Sequence, residues 1–219
     1  MVKAFDVSIH LSGLLDSYPD ARHLIQVATE GGRASRDAIS RLWLSEGIPY
    51  AFKEQPGLYE SIRAWLGERL GVDPKEISLA GSARIGQSLA PRKLGEVFSE
   101  RSDLDLFVVS TELFERMVAD FKAWSTNFSL GIETPSEREK VFWDDNKSRG
   151  ENLIKRGFLD SKMIPNRENY RAAREIAQSM YLLKEKLAVT EGAPRFTYAS
   201  IRCYRNWGSY VRQMSMSLV

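Results

Sequence analysis

Leu79-Ala80-Gly81-Ser82-Ala83-Arg84, followed after a polar stretch by Ser102-Asp103-Leu104-Asp105-Leu106, decides how the rest of this chain is read. Residues 76–80 alternate polar and apolar, as a half-buried strand does, and run directly into Gly81-Ser82. A strand that ends in Gly-Ser, with a helix starting at Ser82, turns free backbone N–H groups toward an anion. Gly81 lets a phosphate approach the backbone, the Ser82 hydroxyl can donate to it, and Arg84 can add charge. Asp103 and Asp105 stand at the start of a second strand-like run, Leu-Asp-Leu-Phe-Val-Val at 104–109. Side chains alternate across a strand, so both acids project from one face. Two adjacent carboxylates repel, and a divalent cation relieves the repulsion; oxygen-rich sites suit Mg²⁺ or Mn²⁺. Asp-Leu-Asp alone is more often a solvated edge, and Gly-Ser alone more often a turn. Their order, each at a strand boundary with helix before and after, singles the segment out.

Outward from this segment the chain is punctuated by helices. Apolar residues at three and four spacing mark Pro56–Leu70, with Pro56 in its first turn and Gly71 as its stop. Shorter helices are expected at 19–28 and 35–45, separated by Gly31-Gly32. After the second strand, Thr111 is the expected cap of a helix whose buried stripe is Leu113, Phe114, Met117, Val118, Phe121 and Trp124. Residues 128–133 read as a further strand, 136–156 and 167–187 as helices, 196–204 as strand and 206–218 as helix. Helices, then strand–helix–strand–helix, then helices imply an α+β fold: a small mixed sheet flanked by helices.

Composition sets limits. The chain has 219 residues, enough for a sizeable core, and is 43% hydrophobic and 27% charged, in the range of soluble globular proteins. A net charge of +2 argues against a protein built mainly to coat nucleic acid, though a local basic groove is compatible with it. Cys203 is the single cysteine, which excludes an intrachain disulfide and a cysteine-based zinc site and favours a reducing compartment. His10 and His23 have no metal-ligand spacing and lie far from any Gly-flanked nucleophile turn, so Ser–His–Asp and Cys–His chemistry are excluded. No apolar run approaches membrane-spanning length and the start is a poor secretory signal. A cytoplasmic protein without a membrane partner is expected.

In its Gly81-Ser82 and Ser102-Asp103-Leu104-Asp105-Leu106 the chain resembles the nucleotidyltransferase superfamily of the DNA polymerase beta type, whose signature is Gly-Ser ending one strand and Asp-x-Asp on the next. The wording is close to bacterial cGAS-like and antibiotic nucleotidyltransferase members. The resemblance is strong from about Ile77 to Val109 and rests on element order elsewhere. It implies one nucleotidyltransferase-like domain over 1–219, with a catalytic core at about 56–135 and a helical remainder at about 136–219. It further implies that Ser82 contacts an NTP and that Asp103 and Asp105 bind Mg²⁺ or Mn²⁺. An acceptor hydroxyl on a nucleotide, an RNA end, a protein or a small molecule would attack the α-phosphate and release pyrophosphate, and phage defence is a role consistent with the analogy.

The sequence departs from this family in two ways. The stretch between Ser82 and Asp103 is long, and Arg92 and Lys93 in it either reach phosphates or are plain surface charges. The third carboxylate of catalytic members has no clean counterpart; Glu133 and Asp160 are the candidates, with Glu133 taken as the catalytic one. The alternative is therefore a non-catalytic protein of the same fold that binds nucleotide or a partner, with a toxin-neutralising role as a weaker third reading. Phe142, Trp143 and Phe158 are weighed as base-stacking groups against core packing, which helical spacing favours. The Arg- and aromatic-rich segment from Arg195 to Arg212 is a candidate partner surface, or else an edge strand and a packed last helix.

Overall fold

A computed structural model describes residues 7–218. Helices α1 (Ala21–Glu30) and α2 (Gly32–Arg41) form an N-terminal pair. Asp20 caps α1 by accepting from the backbone of Arg22 and His23, and these bonds outweigh burial to hold its carboxyl below the usual range. Helix α3 (Pro56–Leu70) has the expected bounds, closed by Gly71 in the left-handed conformation. It leads to strand β1 (Ile77–Leu79), the short helix α4 (Gly81–Ile85), strand β2 (Leu104–Val109) and helix α5 (Thr111–Ser129). Then come α6 (Lys140–Arg156), β3 (Phe158–Asp160), α7 (Arg171–Val189), β4 (Ala199–Tyr204) and α8 (Trp207–Ser217).

The strands make one mixed sheet in the order β1-β2-β4-β3. β1 runs antiparallel to β2, β2 parallel to β4, and β3 antiparallel to β4. Thus 136–219 is not only a helical remainder: it supplies β3 and the interior strand β4. The period of two along β2 sorts its residues between two cores. Leu104, Leu106 and Val108 enter the large core under α3, α5 and α7, with Ile201 and Cys203 of β4. Phe107 and Val109 face the other way, beneath α8, where Tyr210 stacks on Phe107 at 4.3 Å. Asp103 and Asp105 lie on this second face, beyond the end that α8 covers, and both are exposed. A third small core joins α1, α2 and the end of α4 through Leu24, Ile39 and Ile85.

Two sequence expectations are corrected around α5. Its cap is Ser110, not Thr111: the Ser110 hydroxyl accepts from Leu113 N–H at 3.5 Å, while the Thr111 hydroxyl donates to the Arg205 carbonyl at 2.8 Å. Residues 128–133 are not a strand. The helix continues through Phe128 because that ring stacks on Trp124 at 6.1 Å and meets Trp143 edge-on at 5.1 Å. The chain then turns, Ile132 and Glu133 both donating to the Asn127 carbonyl. The expected buried stripe of α5 is buried in full, each such side chain contributing about 1.5–3 kcal/mol.

Cys203 is fully buried on β4, and burial pushes its thiol up to about 12. The reactive thiolate is therefore absent at neutral pH. Native protein at pH 8 should leave Ellman's reagent uncoloured, and the same protein in denaturing urea should release one equivalent of chromophore. Rapid reaction of the native chain would show that β4 opens. Among the described residues no helix is long and apolar enough to cross a membrane.

Candidate functional site

The site is built at the C-terminal end of β1 and the N-terminal end of β2, which are neighbours because the strands are antiparallel. Ala80 N–H donates to the Asp105 carbonyl at 2.8 Å, extending the ladder to the brink of the turn. Gly81 then takes φ +62°, a conformation that disfavours side chains. A Cβ there would meet Asp105 Oδ2 at an ordinary contact distance of 3.9 Å, so the turn lies beside the carboxylate and it is the positive φ, not crowding, that favours glycine. Ala80 gives α4 no side-chain cap, leaving its first-turn N–H groups without an intrahelical acceptor.

Asp103 is fixed through its neighbours. Ser102 C=O accepts from Thr197 N–H at 2.9 Å, and Leu104 N–H donates to the Tyr198 carbonyl at 2.8 Å. The segment leading into β4 thus clamps the backbone on both sides of Asp103, and the side chain makes no hydrogen bond or ion pair among the described residues. Asp105 Oδ1 accepts from the Ser200 hydroxyl at 2.6 Å; Ser200 is its register partner on β4. Gly81, Ser82, Asp103 and Asp105 line a single cavity of about 550 Å³.

The long stretch after Ser82 folds back on itself. Gln87 bridges Val97, Phe98 N–H donates to the Gly86 carbonyl at 2.8 Å, and Pro91–Lys93 forms a 3-10 turn. Lys93 and Arg101 from this stretch line the same cavity, beside Glu96; Arg92 is exposed and does not. The cavity therefore offers two cations for an anion and two adjacent carboxylates for a cation.

Arg84 is placed differently from the sequence expectation. It is 3% exposed, its Nε donating to the Trp43 carbonyl at 3.0 Å and its Nη1 to the Gly47 carbonyl at 2.8 Å. Burial lowers its pKa from the ordinary guanidinium value, and the two carbonyls compensate the charge. Its side chain edges the cavity, but its polar atoms are committed to the loop after α2.

Neither candidate third acid joins the pair. Asp160 on β3 faces Arg202 of β4, 3.4 Å from its Nη2, so a whole strand and a guanidinium separate it from Asp105. Glu133 lies in the turn after α5, 3.8 Å from Arg167. Among the described residues no group of three or more His, Cys, Asp or Glu side chains is arranged to hold a metal. Sequence reasoning missed Ser200, which lies 95 residues from Asp105 and carries no local signature. Of the aromatic candidates, Trp143 and Phe158 are buried, whereas Phe142 is 41% exposed on a neighbouring cavity of about 840 Å³ whose wall also includes Tyr198 and Ser200. The C-terminal Arg and aromatic segment is divided: Tyr204 and Tyr210 are buried, Arg202 and Arg205 are half-buried, and Arg195, Tyr198, Trp207 and Arg212 look outward.

No protein-family model matches the chain, and neither a curated protein nor a solved structure matches it.

Proposed function

We propose that this chain has the nucleotidyltransferase fold of the DNA polymerase beta type and transfers a nucleoside monophosphate from an NTP to a hydroxyl acceptor, releasing pyrophosphate. The observation that carries the reading is the one cavity shared by the Gly81-Ser82 turn and the Asp103/Asp105 pair. The donor set fits Mg²⁺ or Mn²⁺: two unneutralised carboxylates on one strand face, open to solvent, match an ion that keeps waters and substrate phosphates in its shell. When bound, the ion supplies neutralisation of the triphosphate charge. The chain's own part is positioning: Ser82 donates to a phosphate oxygen, Gly81 admits it, and Lys93 and Arg101 attract the remaining negative charge. The cavity beside Ser200, with the exposed Phe142 and Tyr198 rings, is the natural place for a base or an acceptor.

A second reading, nucleotide binding without turnover, is favoured by a specific observation. The position on β4 that faces Asp105 is Ser200, so the carboxylate that would take the acceptor's proton is missing there. Incubating the chain with each α-labelled NTP and Mg²⁺ or Mn²⁺, with and without RNA, separates the two. Labelled product from the wild type alone, against an Asp103→Asn/Asp105→Asn control, supports transfer. Cation-dependent NTP binding with no product supports the second reading. Neither binding nor product would overturn both.

Ser200→Asp tests the local geometry. Without metal, the new carboxylate repels Asp105 and replaces a hydrogen bond, costing on the order of 1–2 kcal/mol. With Mn²⁺, a third oxygen donor should make the melting temperature rise more than it does for the wild type. Equal Mn²⁺ shifts in both proteins would place the cation elsewhere.

A further inference from the structure

A cavity of about 1010 Å³, roomier than the Gly-Ser site, is a groove between α2, α3, the start of β1 and α8. Arg33, Arg41, Arg63, Lys75 and Arg212 line it against two carboxylates, Asp37 and Glu46. That local excess of three positive charges exceeds the net +2 of the whole chain. Arg33 is 3.8 Å from Asp37, and Arg63 pairs with Glu60. Arg41, Lys75 and Arg212 are exposed and make no ion pair among the described residues. Cations gathered in a concavity repel one another and focus a positive potential that an anion relieves.

Two further features give the anion its class. The groove continues into a second concavity of about 500 Å³ that shares Arg33, Asp37 and Arg212 and adds Arg36, so the basic surface is a track rather than a pocket for one phosphate cluster. Trp207, 46% exposed, lines the groove, and it is held edge-on to Tyr210 at 5.5 Å and to Phe107 at 6.3 Å. A fixed indole beside a basic track is the platform on which an unstacked base rests; a duplex has no such base to offer. A buried wall divides the groove from the Asp103/Asp105 cavity: Arg84 bonds the carbonyls of Trp43 and Gly47, and the Tyr210 hydroxyl donates to the Leu44 carbonyl at 2.7 Å.

We propose that this groove binds a single-stranded nucleic acid, with backbone phosphates on Arg33, Arg41, Lys75 and Arg212 and a base on Trp207. The proposal is independent of nucleotidyl transfer, since it uses none of the residues of that site.

The test is fluorescence anisotropy of the full chain with labelled oligouridylate and oligothymidylate, without divalent metal. Binding should weaken with salt at a log–log slope of about −2 to −3, as expected for three or four phosphate contacts on a single strand. Arg41→Glu/Lys75→Glu should lower affinity by at least about 30-fold and flatten that slope. Trp207→Ala should lower it by about 5-fold or more and leave the slope unchanged. Lys122→Glu, exposed on α5, and Asp103→Asn/Asp105→Asn should bind as the wild type does. Melting curves confirm that each variant is folded. Absence of binding at about 50 mM salt, wild-type affinity in the folded Arg41→Glu/Lys75→Glu protein, or tighter binding of phosphatidylserine vesicles or polyglutamate than of oligonucleotide would overturn the proposal.

Discussion

Asp103→Asn/Asp105→Asn should leave the fold intact and remove cation-dependent NTP binding, a separation of stability from function that surface carboxylates seldom show unless they hold a ligand. Asn keeps the volume of Asp and its side-chain oxygen, so the Ser200 hydroxyl retains an acceptor at residue 105. Both acids are exposed, and neither makes an ion pair among the described residues. Metal-free stability should therefore change by no more than about 0.5 kcal/mol, and relief of mutual repulsion favours a small gain. With Mn²⁺ and a non-hydrolysable NTP analogue, the loss is far larger. Two neutral amides cannot offset a divalent charge, and in the proposed complex a triphosphate without the ion would face only Ser82, Lys93 and Arg101. Affinity by isothermal titration calorimetry should fall on the order of 100-fold, about 2.7 kcal/mol, and any turnover should disappear with it. Equal affinities in variant and wild type would remove the cation from Asp103 and Asp105 altogether.

Those two acids were legible because their information is local. A period of two around Leu104 and Leu106 places Asp103 and Asp105 on the opposite face, and β2 has the expected bounds. The α5 stripe and the ends of α3 are local in the same sense: apolar spacing, a proline and a glycine suffice. What escaped is set by partners distant in the chain. β4 enters between β2 and β3 from the last quarter of the sequence, and only that pairing brings Ser200 to Asp105. Phe128 carries strand propensity, yet Trp124 and Trp143 offer its ring more buried contact as a helix end. Glu133, on an expected strand, and Asp160 are the sequence's candidates for a third carboxylate, but each has a guanidinium neighbour, Arg167 and Arg202, that no local pattern places. The length of the 87–101 stretch was visible; that it folds back to set Lys93 beside the acids was not.

Arg84 is the sharpest instance of a motif residue whose surroundings change its role, and its substitution should have the largest effect on stability. It follows the Gly81-Ser82 turn by two residues, where a phosphate-binding cation is expected, yet α4 directs it inward to the loop at 43–47. There it is 3% exposed and donates to two carbonyls. Arg84→Met keeps the length and apolar stem of the side chain and removes every donor. The carbonyls of Trp43 and Gly47 are then left short of partners, at about 1–3 kcal/mol each, partly offset because a charge no longer has to be buried. A net loss of about 2–4 kcal/mol is expected, seen as a lower midpoint in urea with an unchanged slope. Because the same loop bonds the Tyr210 hydroxyl through Leu44, its loosening should raise hydrogen exchange at α8 as well. If the proposed NTP site holds, cation-dependent NTP affinity of the folded variant should match the wild type, since the guanidinium donates to the Trp43 and Gly47 carbonyls instead. A stable variant with lost NTP affinity would instead return Arg84 to the phosphate site and show that the loop holds itself.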